Sequence, residues 1–251
     1  MRTIIWFIYF WLYLIMIYPN QKHFEKKRRM CQLQDEDLNK INGVVSRWAQ
    51  RLLNLAGVSC KVQGLENIPK DTPVLFTANH QGYFDIPLMI TGLDDVYPII
   101  AKKGIAKLPF ISNWMILFDC LFLDRNDARQ SLRIFSEAEA LIKRGKSVII
   151  FPEGTRSRKD EPGEFKSGAF KIAIKTGVPI VPVAINGSYK AMEANHMWIH
   201  PAKTRVTILP PIDTKNLSKE EIKNLGVQVR ESIFECNTLQ NNGEIEKVKI
   251  G

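Results

Sequence analysis

The apolar and polar positions of this 251-residue chain fall into two regimes. Residues 4–18 carry no charge and consist of Ile, Leu, Met, Phe, Trp and Tyr. As a helix this run would measure about 23 Å at roughly 1.5 Å per residue, short against a hydrocarbon core of about 30 Å. Its scattered Trp and Tyr suit a lipid–water interface. Only Arg2 serves as a basic leader, and no small-x-small cleavage pattern follows, which argues against a signal peptide. Residues 38–57 have Ile41, Val44, Val45, Trp48, Leu52 and Leu53 at helical spacing, with Lys40, Arg47 and Arg51 between them, and Gly57 as a stop. Periodicity does not separate core packing from membrane contact for that stripe. The segment is either a two-helix element dipped into one leaflet or one marginal span followed by an interfacial helix.

From residue 58 short apolar runs alternate with helical patterns, which predicts an open, largely parallel α/β sheet flanked by helices. Strands are expected at 74–78, 96–101, 121–123, 147–151, 180–185 and 205–209. Helices are expected at about 84–91, at 128–144 with Gly145 as its stop, at 169–176, and from a Ser218-Lys219-Glu220-Glu221 capping box to about Cys236. The organisation is therefore an N-terminal membrane-associated element (1–57), an α/β domain (58–238) and a flexible polar tail (239–251).

Composition narrows the class. The 35 Lys+Arg exceed the 26 Asp+Glu by nine, and at 45% hydrophobic the chain is globular rather than disordered. Part of the excess is local: Lys22, Lys26, Lys27, Arg28 and Arg29 follow the apolar run, as expected for contact with anionic headgroups on a cytoplasmic membrane face. Cys31, Cys60, Cys120 and Cys236 form no CxxC pair, and no HExxH or GxGxxG occurs, so no metal or cofactor is expected. Gly163 to Gly168 has phosphate-loop glycine spacing, but Ala169 and Phe170 stand where Lys-Ser/Thr is required. The basic residues lie beside lipid-seeking aromatics rather than on a helix-turn-helix or stacking platform, so nucleic acid is not an expected partner.

The chemistry sits at predicted strand ends. Asn79-His80-Gln81-Gly82-Tyr83-Phe84-Asp85 follows the 74–78 strand. On one continuous helix His80 and Asp85 would lie about 140° apart. They meet only if His80 occupies the preceding turn, which Gly82 would ease. A carboxylate on one ring nitrogen leaves the other free to accept a proton. With no GxSxG elbow present, such a dyad suits direct deprotonation of a substrate hydroxyl. Phe151-Pro152-Glu153-Gly154-Thr155-Arg156-Ser157-Arg158 follows another strand and offers guanidinium forks for phosphate. Arg125 ends a third strand, and Lys102 and Lys103 end a fourth. Singly, each of these is by default a solvated charge. Asn186-Gly187-Ser188 reads as a turn.

His80-x4-Asp85, the 151–157 block and Val178-Pro179-Ile180-Val181-Pro182-Val183, in this order, resemble the glycerolipid acyltransferases, within them the bacterial 1-acylglycerol-3-phosphate acyltransferases. The likeness covers about residues 60–210. It implies acid–base roles for His80 and Asp85, and acceptor binding by Lys102, Lys103, Arg125, Glu153, Gly154, Thr155 and Arg156. It makes 178–183 a structural or acyl-lining stretch. The implied reaction passes an acyl group from acyl-CoA or acyl carrier protein to the sn-2 hydroxyl of lysophosphatidic acid. Thr155 favours that acceptor over glycerol-3-phosphate. Lys103-Gly104-Ile105 departs from the family's usual Lys-Glu-Leu, and Ser112 replaces a usual Gly, which bears on substrate detail. The alternatives are transfer to another lyso-lipid, such as lyso-ornithine lipid, and a noncatalytic membrane-binding protein.

Overall fold

The structure, a computed structural model, describes residues 1–242. The chain opens with three helices, α1 (Arg2–Met16), α2 (Tyr18–Arg29) and α3 (Asp35–Ala56). Strands and helices then alternate: β1 (Val58–Gln63), β2 (Leu75–Ala78), α4 (Asp85–Gly92), β3 (Ile100–Lys102), α5 (Ile111–Leu117), β4 (Leu121–Leu123) and α6 (Ala128–Lys143). β5 (Val148–Ile150), α7 (Lys171–Thr176), β6 (Ile180–Asn186), β7 (Ala202–Ile208) and α8 (Lys219–Asn241) complete the fold.

Five strands form one sheet in the order β1-β7-β6-β2-β5, and β3 pairs with β4 in a second, two-stranded sheet. All pairings are parallel except β6 with β7. A parallel bridge between Ile99 and Ile149 joins the two sheets. Hence β6, β2, β5, β3 and β4 all point the same way, and their C-terminal ends share one edge. β2 lies inside this run, between β6 and β5, with every side chain buried, as its Leu-Phe-Thr-Ala without charge or alternation predicts for a strand covered on both faces.

The apolar stripe of α3 belongs to the core: Leu52, Leu53 and Ala56 join Phe76, Val181 and Val206, while Ile41, Val44 and Val45 pack with Tyr13, Phe24 and Trp114. Packing, not lipid, covers that helix. Gly57 stops it in the left-handed conformation at φ 74°. α1 turns Trp6, Tyr13 and Leu14 inward, with Trp6 Nε1 donating to the Leu52 carbonyl at 2.9 Å. Its other face exposes Ile4, Ile5, Ile8, Trp11, Leu12 and Ile15. No single helix among the described residues is long and apolar enough to cross a membrane; α1 and α2 pass only as a pair, bent by 46°. α2 is tied to the core where Arg28 reaches Asp119 at 2.5 Å and Gln21 donates to the Phe110 carbonyl at 2.7 Å.

Several boundaries differ from the sequence expectations. β1, an edge strand, and α5, two turns long, carry too little pattern to have been expected. The strand expected at 96–101 begins only at Ile100, because the chain touches β5 at Pro98 and Ile99 before crossing to β4. The helix expected at 169–176 opens as a 3₁₀ turn, Ser167–Phe170, and is α-helical from Lys171. β7 starts three residues early, at Ala202, where it meets Val58 of β1. The Ser218–Glu221 capping box is present, but α8 runs on to Asn241 because Asn237 and Gln240 are buried and bonded to β6 and β7. Residues 239–241 of the expected tail are thus helical, and 243–251 lie outside the described residues.

Candidate active site

β2 delivers His80 and Asp85 to the shared sheet edge. Asn79 closes the strand by bonding both backbone groups of Ile185 in β6, at 2.9 and 2.7 Å. Asp85 opens α4 and folds back over the loop. Its Oδ2 accepts from His80 Nδ1 at 2.6 Å, Gln81 N–H at 2.7 Å and Gly82 N–H at 3.0 Å, while its Oδ1 accepts from Ser188 Oγ. Asp85 is wholly buried, and the His80 side chain is 18% exposed. An ionised carboxylate only accepts, so Nδ1 carries the hydrogen and Nε2 holds the free lone pair. Nε2 has no protein partner among the described residues. The imidazole lies against Phe151, ring centres 4.5 Å apart. Gly82 does not adopt a positive φ; a side chain there would strike the Glu193 carboxylate at 2.5 Å. Close approach of that carboxylate, not turn freedom, is what glycine accommodates here.

β5 neighbours β2, so the 151–158 loop lies beside the His80 loop although about 70 residues separate them. Ser157 N–H donates to the His80 carbonyl at 2.7 Å, and Arg158 N–H to that of Gln81 at 3.2 Å. Glu153 points inward. Its carboxylate accepts from His80 N–H at 2.6 Å and Gly163 N–H at 2.8 Å, and burial pushes its pKa up despite these bonds. Glu153 therefore ties the two loops together, a different duty from direct acceptor binding. Gly154 is buried at φ 73° with Arg125 and Lys166 packed over it. Thr155 is exposed.

Arg156 is held in place: it stacks on Tyr83 with the guanidinium carbon 3.7 Å from the ring centre and bonds Glu193 at 3.2 Å. That bond uses one of its five N–H donors. Glu193 also accepts from Tyr83 N–H at 2.7 Å, and burial raises its pKa.

Lys102, Lys103 and Arg125 line one cleft of about 470 Å³ with Lys107, Leu123 and Asp124. Lys103 bonds Asp124 at 3.1 Å across an exposed pair, which a stronger anion can displace at little cost. Partial burial lowers the Arg125 pKa, so its charge is incompletely hydrated and ready for an anion. Arg156 does not line this cleft. Among the described residues no group of three His, Cys, Asp or Glu side chains could hold a metal ion.

Residues 59–186, half of the chain, match the family model described as Acyltransferase. A 1-acyl-sn-glycerol-3-phosphate acyltransferase of Borreliella burgdorferi is 32% identical over 196 residues, 78% of this chain and 75% of that protein. The chain belongs to this acyltransferase family. Within the family, the crystal structure of the 1-acyl-sn-glycerophosphate (LPA) acyltransferase PlsC from Thermotoga maritima superposes with a TM-score of 0.78 at 28% identity, covering 96% of this chain and 98% of that one. The chloroplastic 1-acyl-sn-glycerol-3-phosphate acyltransferase BAT2 of Brassica napus is 41% identical over 153 residues, 60% of this chain. This chain spans less than half the length of that plant relative, 44% of it.

Four further residues reach the candidate site without a sequence signal of their own: Tyr83, Lys166, Ser188 and Glu193. Tyr83 stood inside a motif already singled out. Ser188 lies 103 residues from Asp85, and Glu193 lies 110 from Tyr83 and 37 from Arg156, both in 3₁₀ turns without periodicity. No local pattern marks them.

Proposed function

We propose that this chain transfers a fatty acyl group from an acyl thioester to the sn-2 hydroxyl of lysophosphatidic acid, giving phosphatidic acid. The observation that carries the reading is the hydrogen bond between His80 and Asp85, with Nε2 free, at the same sheet edge as a cleft lined by three lysines and an arginine. Arg125, Lys102 and Lys103 take the acceptor phosphate. Arg156, fixed by Tyr83 and Glu193, presents its remaining N–H donors from the neighbouring 151–158 loop, one residue before Ser157, whose N–H bonds the His80 carbonyl. Nε2 accepts the hydroxyl proton while the oxygen attacks the thioester carbon. The C–S bond then breaks, and the proton passes from the imidazolium to the leaving thiolate. No protein nucleophile is needed. The thioester comes from acyl-CoA or acyl carrier protein.

The exposed apolar face of α1, with exposed Lys26 and Arg29 in the last turn of α2 beside Lys27 and Arg28, which pair with Asp37 and Asp119, supports contact with the anionic cytoplasmic face of a membrane.

The test is thiol release from both donors by liposome-bound protein, with lysophosphatidate, glycerol-3-phosphate and a zwitterionic lysolipid as acceptors. Release that needs lysophosphatidate and vanishes in His80→Ala supports the reading. Preference for another lysolipid moves the activity to a sister reaction. No release with any acceptor leaves a noncatalytic lipid binder.

A further inference from the structure

β6 ends at Asn186, and a tight turn brings the chain back beneath the His80 loop. Gly187 has φ 78°, and a side chain there would lie 2.7 Å from the Lys203 carbonyl oxygen. Glycine is required on both counts. The turn places Ser188, wholly buried, against the far oxygen of Asp85. Ser188 N–H donates to Gln81 Oε1 at 3.2 Å, which fixes the Gln81 amide with its oxygen on this side. The Ser188 hydroxyl lies 3.3 Å from the same oxygen but closer to Asp85. It has a single proton, and the nearer, charged acceptor takes it.

Asp85 Oδ2 is already occupied by His80 Nδ1–H and two backbone N–H groups, whereas Oδ1 has Ser188 as its one donor among the described residues. We propose that Ser188 is a positioning residue for acyl transfer, holding the Asp85 carboxylate in the rotamer that orients His80. It faces the side of Asp85 away from the imidazole, so it is not a nucleophile. The inference rests on the proposed role of the dyad. It gives Asn186-Gly187-Ser188, which reads in the sequence only as a turn, a part in the reaction.

The experiment measures kcat and KM for lysophosphatidate, with thermal unfolding, in the wild type, Ser188→Ala, Asp85→Ala and the double variant. Ser188→Ala is expected to lower kcat about tenfold or more, the scale of a lost hydrogen bond to a charged group, and to leave KM within about twofold. In the Asp85→Ala background it should cost no further turnover, because the carboxylate it serves is gone. Unchanged kcat in Ser188→Ala, or the same fold-loss in both backgrounds, overturns the assignment, the latter by showing a merely structural role. Near-normal turnover in Asp85→Ala overturns the dyad itself, and Ser188 with it. Should the alanine variant not fold, Ser188→Cys fills nearly the same space with a weaker donor, and wild-type kcat there also overturns the assignment.

Discussion

Asp85→Asn separates the charge of the dyad from its geometry. Oδ2 sits among three donors, at 2.6, 2.7 and 3.0 Å. An amide NH₂ cannot face all three, so asparagine must place its carbonyl oxygen there and turn NH₂ toward Ser188, whose hydroxyl can rotate to accept. The His80 tautomer is kept. In a triad where the same substitution yields the wrong tautomer, turnover falls by about 10⁴. Here only the negative charge opposite the forming imidazolium is lost. A lower bound is the difference between hydrogen bonds to charged and neutral partners, about 1 kcal/mol. An upper bound is the Coulomb term at about 4 Å and an effective dielectric near 20, about 4 kcal/mol. At about 1.4 kcal/mol per decade these bounds correspond to roughly fivefold and thousandfold in kcat. Initial rates of thiol release at saturating lysophosphatidate measure kcat, and KM should stay within about twofold. An unchanged kcat would refute the role of the charge. A loss equal to that of His80→Ala would refute the retained tautomer.

Three further outcomes follow from the same geometry. Arg125→Ala, in the cleft assigned to the acceptor phosphate, should raise KM for lysophosphatidate by about tenfold or more, since a charge-assisted contact is lost, and should spare a phosphate-free acceptor; equal loss with both acceptors counts against phosphate binding. Asp119 is pushed up by burial but held below the usual carboxylate range overall by hydrogen bonds from Lys146 and Arg28. With its folded pKa below the unfolded one, its stabilisation is present above about pH 3.9 and is lost as pH falls through the folded value; Asp119→Asn should flatten the acid side of the melting-temperature profile, and an identical profile would contradict the linkage. Ile8→Glu with Leu12→Glu on the exposed face of α1 should weaken vesicle binding on the order of 100-fold while leaving the melting temperature unchanged; vesicle binding at the wild-type level would remove α1 from the membrane contact.

The sequence by itself determined much of this protein. Largely apolar runs such as Leu75–Ala78 and Ile180–Asn186 mark strands buried on both faces, and the Gly57 and Ser218 signals fix helix ends, because such preferences act within a few residues. The same locality made His80, Asp85 and the 151–158 block visible, each lying in one short stretch after a strand. The stripe of α3 was legible as amphipathic, yet only the fold decided what covers it, since core and lipid impose the same period. Glu153 and Arg156 are both charged loop residues in sequence. Sheet order decided that Glu153 turns inward to two backbone N–H groups while Arg156 is pinned between Tyr83 and Glu193. The pairing of Ser188 with Asp85 spans 103 residues and exists because β6 and β2 are parallel neighbours ending at one edge. Long-range contacts of this kind depend on strand order and direction, which no local pattern of residues encodes.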